Sequence, residues 1–222
     1  VTELPETLEL ETGAGPKAAV IWLHGLGADG HDFEPVVPML GLPPGLALRF
    51  VFPHAPVRPV TINMGMAMRA WYDILQLGGG GQEDEHGIRA SQLLLEGLIA
   101  REQARGIDCA KIVLAGFSQG GAIVLQTGLR HPKRLAGILA LSTYLPLAKT
   151  LADERHRANF DAPIFMAHGS QDELIPLAWA EASRDGLQAM GYSVEWQAYP
   201  MGHAVCPEEI EAIGRWLARV LG

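Results

Sequence analysis

The chain has 222 residues, 48% of them hydrophobic and 19% charged, with a net charge of −8. That balance describes a core-rich folded chain and speaks against nucleic acid as a partner, because a phosphate backbone calls for a basic face. No Lys/Arg cluster offers an electrostatic membrane anchor, and Cys109 and Cys206 lie far apart without metal-ligand spacing. Two such cysteines read as free thiols of a reducing compartment, so a cytoplasmic location is expected.

In chain order, Val1-Thr2-Glu3-Leu4-Pro5 shows no charged-then-apolar leader, and Leu4 to Leu10 predicts an antiparallel edge strand. Ala18 to Leu23 and Leu48 to Phe52 read as strands. The apolar window from Val36 to Phe52 is broken by Pro38, Pro43 and Pro44, so stable membrane insertion is not expected. Pro53 to Leu77 reads as a long irregular loop, whose Met64, Met66, Met68, Trp71 and Tyr72 predict a packed segment lining a pocket. Gly78 to Gly81 predicts a hinge or loop tip. Ile88, Leu95, Leu98 and Ile99 form a helical stripe, as do Ile210, Ile213, Trp216, Leu217 and Val220. Lys111 to Ala115, Ala136 to Leu141, Pro163 to Ala167 and Ser193 to Ala198 complete the strands; Leu177 to Met190 reads as a helix stopped by Gly191. Most strands are continuous apolar runs, the pattern of strands covered on both faces. Strand alternating with helix predicts an α/β fold: one domain over residues 1–222, with a mostly parallel central sheet, helices on both faces and no large cap.

Gly116-Phe117-Ser118-Gln119-Gly120 follows an apolar strand and precedes a helix-like stretch, the setting in which G-x-S-x-G becomes a nucleophile elbow. Such a turn leaves no room for bulk two positions before and after the serine, which Gly116 and Gly120 satisfy. Serine needs a base, and the base needs an acid to orient it. After an elbow these follow in the order acid, then histidine. Of the downstream histidines, His131 reads as a helix end, His156 lies in a charged segment, and His168 sits at a strand end where packing is expected. His203 follows the last predicted strand, with Gly202 letting its loop approach the serine. Asp172 stands four residues past a strand end, on the edge where α/β sheets gather their ligands. Asp153 and Asp161 precede that strand, and Asp185 is on a helix surface. The predicted oxyanion donors are the N–H groups of Gln119 and of Leu26, the latter flanked by glycines after the strand ending at Leu23. His24 is then a structural strand-end residue.

These motifs together resemble the carboxylesterase/lysophospholipase/acyl-protein thioesterase family of α/β-hydrolases. The matching pieces are Leu23-His24-Gly25-Leu26-Gly27 with Asp29-Gly30, Thr61-Ile62-Asn63-Met64-Gly65, Trp71-Tyr72-Asp73-Ile74, the elbow with Gly121-Ala122, His168-Gly169-Ser170-Gln171-Asp172 and Gly202-His203. Glu83-Asp84-Glu85 with Gly87-Ile88 resembles the start of that family's helix after its glycine-rich loop. The resemblance implies a serine hydrolase with Ser118, Asp172 and His203 as nucleophile, acid and base, and Leu26 and Gln119 as oxyanion donors. Trp71, Leu26 and Leu174 would line an acyl groove. It implies esters of short to medium acyl chains as substrates, with lysophospholipids and protein-bound acyl thioesters handled by some members and dimers formed by several. No metal and no organic cofactor is expected, and Cys206 reads as a small buried hydrophobe. The reading from a different class is a non-catalytic module holding a small apolar ligand on the same scaffold.

Overall fold

Strands and helices alternate along residues 3–75 and 82–222, which the computed structural model describes: β1 (Thr7–Glu11), β2 (Ala18–Leu23), β3 (Leu48–Pro53), β4 (Val57–Val60), β5 (Met66–Arg69), α1 (Glu85–Ala104), β6 (Ile112–Phe117), α2 (Gln119–Arg130), β7 (Gly137–Leu141), α3 (Ala148–Glu154), β8 (Ile164–Gly169), α4 (Leu177–Ala189), β9 (Val194–Tyr199) and α5 (Pro207–Leu221). Seven strands make one sheet in the order β1-β3-β2-β6-β7-β8-β9. Only β1 runs antiparallel, against β3; the other neighbours are parallel. This is the α/β-hydrolase architecture, and among the described residues no large cap covers the sheet. The glycine run Gly78–Gly81 lies outside the described residues.

Every residue of β2 is buried, because the strand feeds two cores at once. Ala19, Ile21 and Leu23 pack with Leu95 and Leu98 of α1 and Ile123 and Leu125 of α2. Ala18, Val20 and Trp22 point the other way, toward Ile213, Trp216 and Leu217 of α5 and the 3-10 turn Glu34–Leu40. Strand side chains alternate between faces, so a strand covered on both must be apolar throughout. α2 is buried along its whole length. Its long polar side chains are paired, Arg130 Nε donating to Glu154 at 2.6 Å and Gln126 Nε2 to Gln92 at 2.9 Å, whereas the buried Thr127 hydroxyl has no partner among the described residues. At the edge, Glu102 is fully buried and accepts from Arg49, Arg101 and Arg105, while Glu9 of β1 also takes Arg101 and Arg105. α1 starts where Asp84 caps it by accepting from Gly87 N at 2.9 Å. Gly191 ends α4 with φ 90.

Pro53 to Leu77 departs from the expected irregular loop. It contains the antiparallel hairpin β4–β5, with Val60 opposite Met66 and a turn through Met64 (φ 55) and Gly65 (φ 75). Two of its three methionines do not pack as expected, Met64 being 95% exposed and Met66 61%, whereas Met68 is half-buried with its Sδ 3.3 Å from Asn63 Nδ2. The hairpin stands apart from the main sheet and is mostly exposed, with Val60 of β4 buried within it and Ala55, Ala70, Trp71 and Tyr72 buried on either side. Among the described residues, no helix is long and apolar enough to cross a membrane.

Candidate active site

Ser118 joins β6 to α2 with φ 55 and ψ −120, a conformation that a non-glycine residue holds at a cost of about 1–3 kcal/mol. The turn is tied down around it. Ser118 N donates to Leu141 O at 2.8 Å, and Thr143 Oγ1 donates to Ser118 O at 2.7 Å. A Cβ on Gly116 would lie 2.7 Å from Gly121 N, and one on Gly120 would lie 2.5 Å from Leu23 O. The expected absence of bulk at 116 and 120 is therefore a backbone-on-backbone requirement.

The carboxyl ends of β6, β8 and β9 bring Ser118, Asp172 and His203 together. His203 Nε2 is 2.9 Å from Ser118 Oγ, and His203 Nδ1 is 2.7 Å from Asp172 Oδ2. Asp172 is 7% exposed, and its Oδ1 accepts from Leu174 N and Ile175 N, both at 2.9 Å. With the carboxylate facing Nδ1, that nitrogen carries the proton and Nε2 is free to accept from the serine. The Phe117 ring lies 4.8 Å from the imidazole, a neighbour that the G-x-S-x-G pattern gives no reason to expect. Gly202 is not what admits the loop: a Cβ there would meet nothing closer than Gln171 O at 3.8 Å. The needed glycine is Gly169, whose Cβ would overlap the carbonyl oxygens of Met201 and Gly202. Ser170 N and Gln171 N then donate to Tyr199 O and Met201 O, lacing the two loops.

The other candidates have other partners. His131 ends α2 beside Cys109, with 3.6 Å between Nε2 and Sγ, and His156 Nδ1 accepts from Ala158 N. His168 is fully buried beside the acid, its Nε2 donating to Ile175 O at 2.8 Å and lying 3.4 Å from Asp172 Oδ2. Asp161 pairs with Arg134 and Asp185 with Arg184.

Leu26 and Gln119 flank the serine from two sides. Gln119 is the first residue of α2, where the N–H has no carbonyl one turn back. Among the described residues neither Leu26 N nor Gln119 N donates to an internal acceptor. Gly25 brings the Leu26 loop so close that a Cβ on it would touch Ser118 Cβ at 3.4 Å. His24 is 2% exposed; its Nε2 accepts from Ala55 N at 3.0 Å, so Nδ1 bears the proton and faces Gly25 O at 2.7 Å. Trp71 corrects the expectation of a groove-lining side chain. It is 1% exposed and its indole N–H donates to His24 O at 2.9 Å, so the ring is walled in behind the Leu26 loop. Leu174, 63% exposed beside Asp172, does offer open apolar surface at the rim. Cys206 is half-buried instead of buried, because it starts α5 as its N-cap residue. Among the described residues, no group of three or more His, Cys, Asp or Glu side chains is arranged to hold a metal ion.

Buried titratable groups give the fold a pH signature. Burial pushes His24 and His131 down to about 4 from 6.5, and lowers His168 as well. The unfolded chain takes up these protons below pH 6.5 while the folded chain resists until about 4, so stability is lost as pH falls through that window. Glu209 acts with the opposite sign. It is fully buried near the Cys206 backbone, with neither oxygen in hydrogen-bond geometry, and burial pushes it up to about 8 from 4.5. Stability is therefore lost as pH rises from 4.5 to 8. Among His24, His131 and Glu209, the two imidazoles outweigh the carboxyl below pH 6.5 and only Glu209 acts above it, so the expected maximum from these groups is near pH 6.5. Glu209→Gln should flatten the alkaline limb and raise Tm at alkaline pH by roughly 5 °C. Identical Tm–pH curves for the two proteins would show that Glu209 ionises freely in the fold.

A model of the phospholipase/carboxylesterase family matches residues 8–221. Acyl-protein thioesterase 1 of Gibberella zeae is 41% identical over 213 residues, covering 92% of this chain and 91% of its own. Acyl-protein thioesterase 1 of Neurospora crassa is 42% identical over 213 residues, covering 92% and 87%. Among solved structures, Arabidopsis thaliana SOBER1 superposes with a TM-score of 0.87 at 30% identity, covering 92% of this chain and 99% of that one. Zea mays acyl-protein thioesterase 2 gives 0.85 at 28%, covering 98% and 100%. The match along nearly the whole chain, on a sheet that carries a serine at a strained strand-to-helix turn, settles the class: this chain is a serine ester hydrolase and belongs to the phospholipase/carboxylesterase family.

Proposed function

We propose that the chain acts as one α/β-hydrolase domain over residues 1–222, cleaving oxoesters and thioesters of short to medium acyl chains, with Ser118 as nucleophile, His203 as base and Asp172 as its orienting acid. The observation that carries this reading is the pair of contacts from His203, 2.9 Å to Ser118 Oγ and 2.7 Å to Asp172 Oδ2. His203 takes the hydroxyl proton as Ser118 Oγ bonds to the acyl carbon, and the carbonyl oxygen becomes an oxyanion facing the N–H groups of Leu26 and Gln119. The proton passes to the departing alkoxide or thiolate. Water, deprotonated by His203, then attacks the acyl-serine and releases the acid.

Thioester cleavage is supported by the two relatives named as acyl-protein thioesterases, and cleavage of a phospholipid ester, a lysophospholipid among them, by the word phospholipase in the family's description. The exposed Leu174 supports an apolar chain entering over the acid loop. The family resemblance, in which several members are dimers, supports pairing of two copies, which light scattering tests. A reducing, cytoplasmic setting is supported by the two free thiols.

A series of p-nitrophenyl esters and matching thioesters, run beside an organophosphonate label, tests the proposal. Hydrolysis across the series with the label on Ser118 alone is expected. A label on another residue, or full labelling of Ser118→Ala, would overturn the assignment. Inert esters that still bind would favour the non-catalytic module.

A further inference from the structure

The segment Arg69–Tyr72 touches both sides of the site without facing it. Trp71 Nε1 donates to His24 O at 2.9 Å, and Arg69 O accepts from Gly27 N at 2.9 Å. These two bonds grip the Leu26 loop immediately before and after Gly25-Leu26. The same segment is bound to α2 by one side chain. Gln119 Oε1 accepts from Trp71 N at 2.7 Å, and Gln119 Nε2 donates to Tyr72 O at 2.6 Å. Ser91 of α1 adds a hydrogen bond to Trp71 O, and Ala70 N donates to Pro56 O at 3.0 Å. Trp71 is 1% exposed, Tyr72 3% and Gln119 3%, so water does not compete for these groups.

We propose that Trp71, held by the Gln119 side chain, is a positioning residue that sets the spacing between the Leu26 and Gln119 N–H groups. The inference rests on those two amides being the oxyanion donors. Gln119 then has two tasks: its backbone supplies one donor, and its side chain clamps the splint that holds the other. Such donors act only where they meet the developing charge, so loosening one lowers kcat more than it changes substrate binding. A bulky ring is used because the indole spans from the α2 side of the site to the end of β2 and ends in a donor.

Trp71→Phe keeps an aromatic ring, smaller than the indole, and removes the indole N–H. The expected result is a folded protein with kcat reduced about tenfold or more, KM within about twofold, and weaker binding of an alkyl trifluoromethyl ketone by the same factor as kcat/KM. The ketone forms a hemiketal oxyanion on the serine, so its affinity reports the donors directly. Should the phenylalanine protein not fold, β-(3-benzothienyl)alanine at 71 replaces N–H by S with the ring shape kept, and the same three readings are expected. Gln119→Met, which retains the backbone N–H, should give the same pattern. Unchanged kcat in the folded variants, or a rise in KM alone, overturns the splint. Ser118→Ala separates the two ideas: if it stays active, the serine assignment fails; if it is inert while Trp71→Phe turns over normally, only the splint fails.

Discussion

Ser118→Ala should lower kcat by about 10⁶-fold, and Asp172→Asn by about 10⁴-fold, with Tm changed little in either. The first removes the atom that bonds to the acyl carbon. Among the described residues the hydroxyl hydrogen-bonds to His203 alone, so its loss leaves no other described partner unsatisfied. The second is subtler. Asp172 Oδ1 accepts from two backbone amides, Leu174 N and Ile175 N, and the oxygen of an asparagine would be held there. Its NH2 then faces His203 Nδ1, where Oδ2 now accepts at 2.7 Å. Two donors cannot meet, so the imidazole must move its proton to Nε2, and that nitrogen can no longer accept from Ser118. Single-turnover kinetics with p-nitrophenyl butyrate, beside a thermal melt, reads both. A Ser118→Ala protein retaining a tenth of the activity would remove Ser118 from the chemistry. An Asp172→Asn protein with the same loss as Ser118→Ala would point to a collapsed loop instead of a wrong tautomer.

The parts of the site readable from residues alone were those where one physical demand leaves one solution. Ala18–Leu23 must be apolar throughout because its two faces feed two cores, and the strand matches the sequence reading residue for residue. Gly116 and Gly120 must lack side chains because backbone lies against them. The hairpin β4–β5 escaped because it contains Pro59, which argues against a strand, and because its exposed methionines mimic packing residues. Pro59 is tolerated there because the pair stands alone, with β4 free on its outer edge. Trp71 was misplaced for a different reason. A large aromatic in a loop near a site fits a groove wall and a buried strut equally well, and only the direction of its N–H separates them. The steric demand expected at Gly202 falls instead on Gly169, because it rests on whichever backbone approaches and the sequence does not say which one that is.

Gly120→Ala should destabilise the protein by about 3 kcal/mol or more and abolish most activity, although alanine is the better helix former by about 1 kcal/mol. The added Cβ would lie 2.5 Å from Leu23 O, 2.6 Å from His24 O and 2.7 Å from Leu23 C. No side chain can swing aside, since all three atoms belong to the backbone at the end of β2. That strand is fully buried and bonded on both edges, to β3 and β6, so it cannot retreat. The start of α2 must move instead, carrying Ser118 and Gln119 N away from the Leu26 loop. Gly186→Ala is the matched control. It lies within α4, and a Cβ there meets nothing within 4 Å. Here only helix propensity acts, so a gain of about 0.5–1 kcal/mol is expected, a rise of roughly 2 °C in Tm with normal turnover. The same chemical change is thus expected to carry opposite signs at two helix positions. If Gly120→Ala melted and turned over like the parent, α2 would not be pressed against β2 as described, and the close approach that aligns the serine with its two amides would lose its basis.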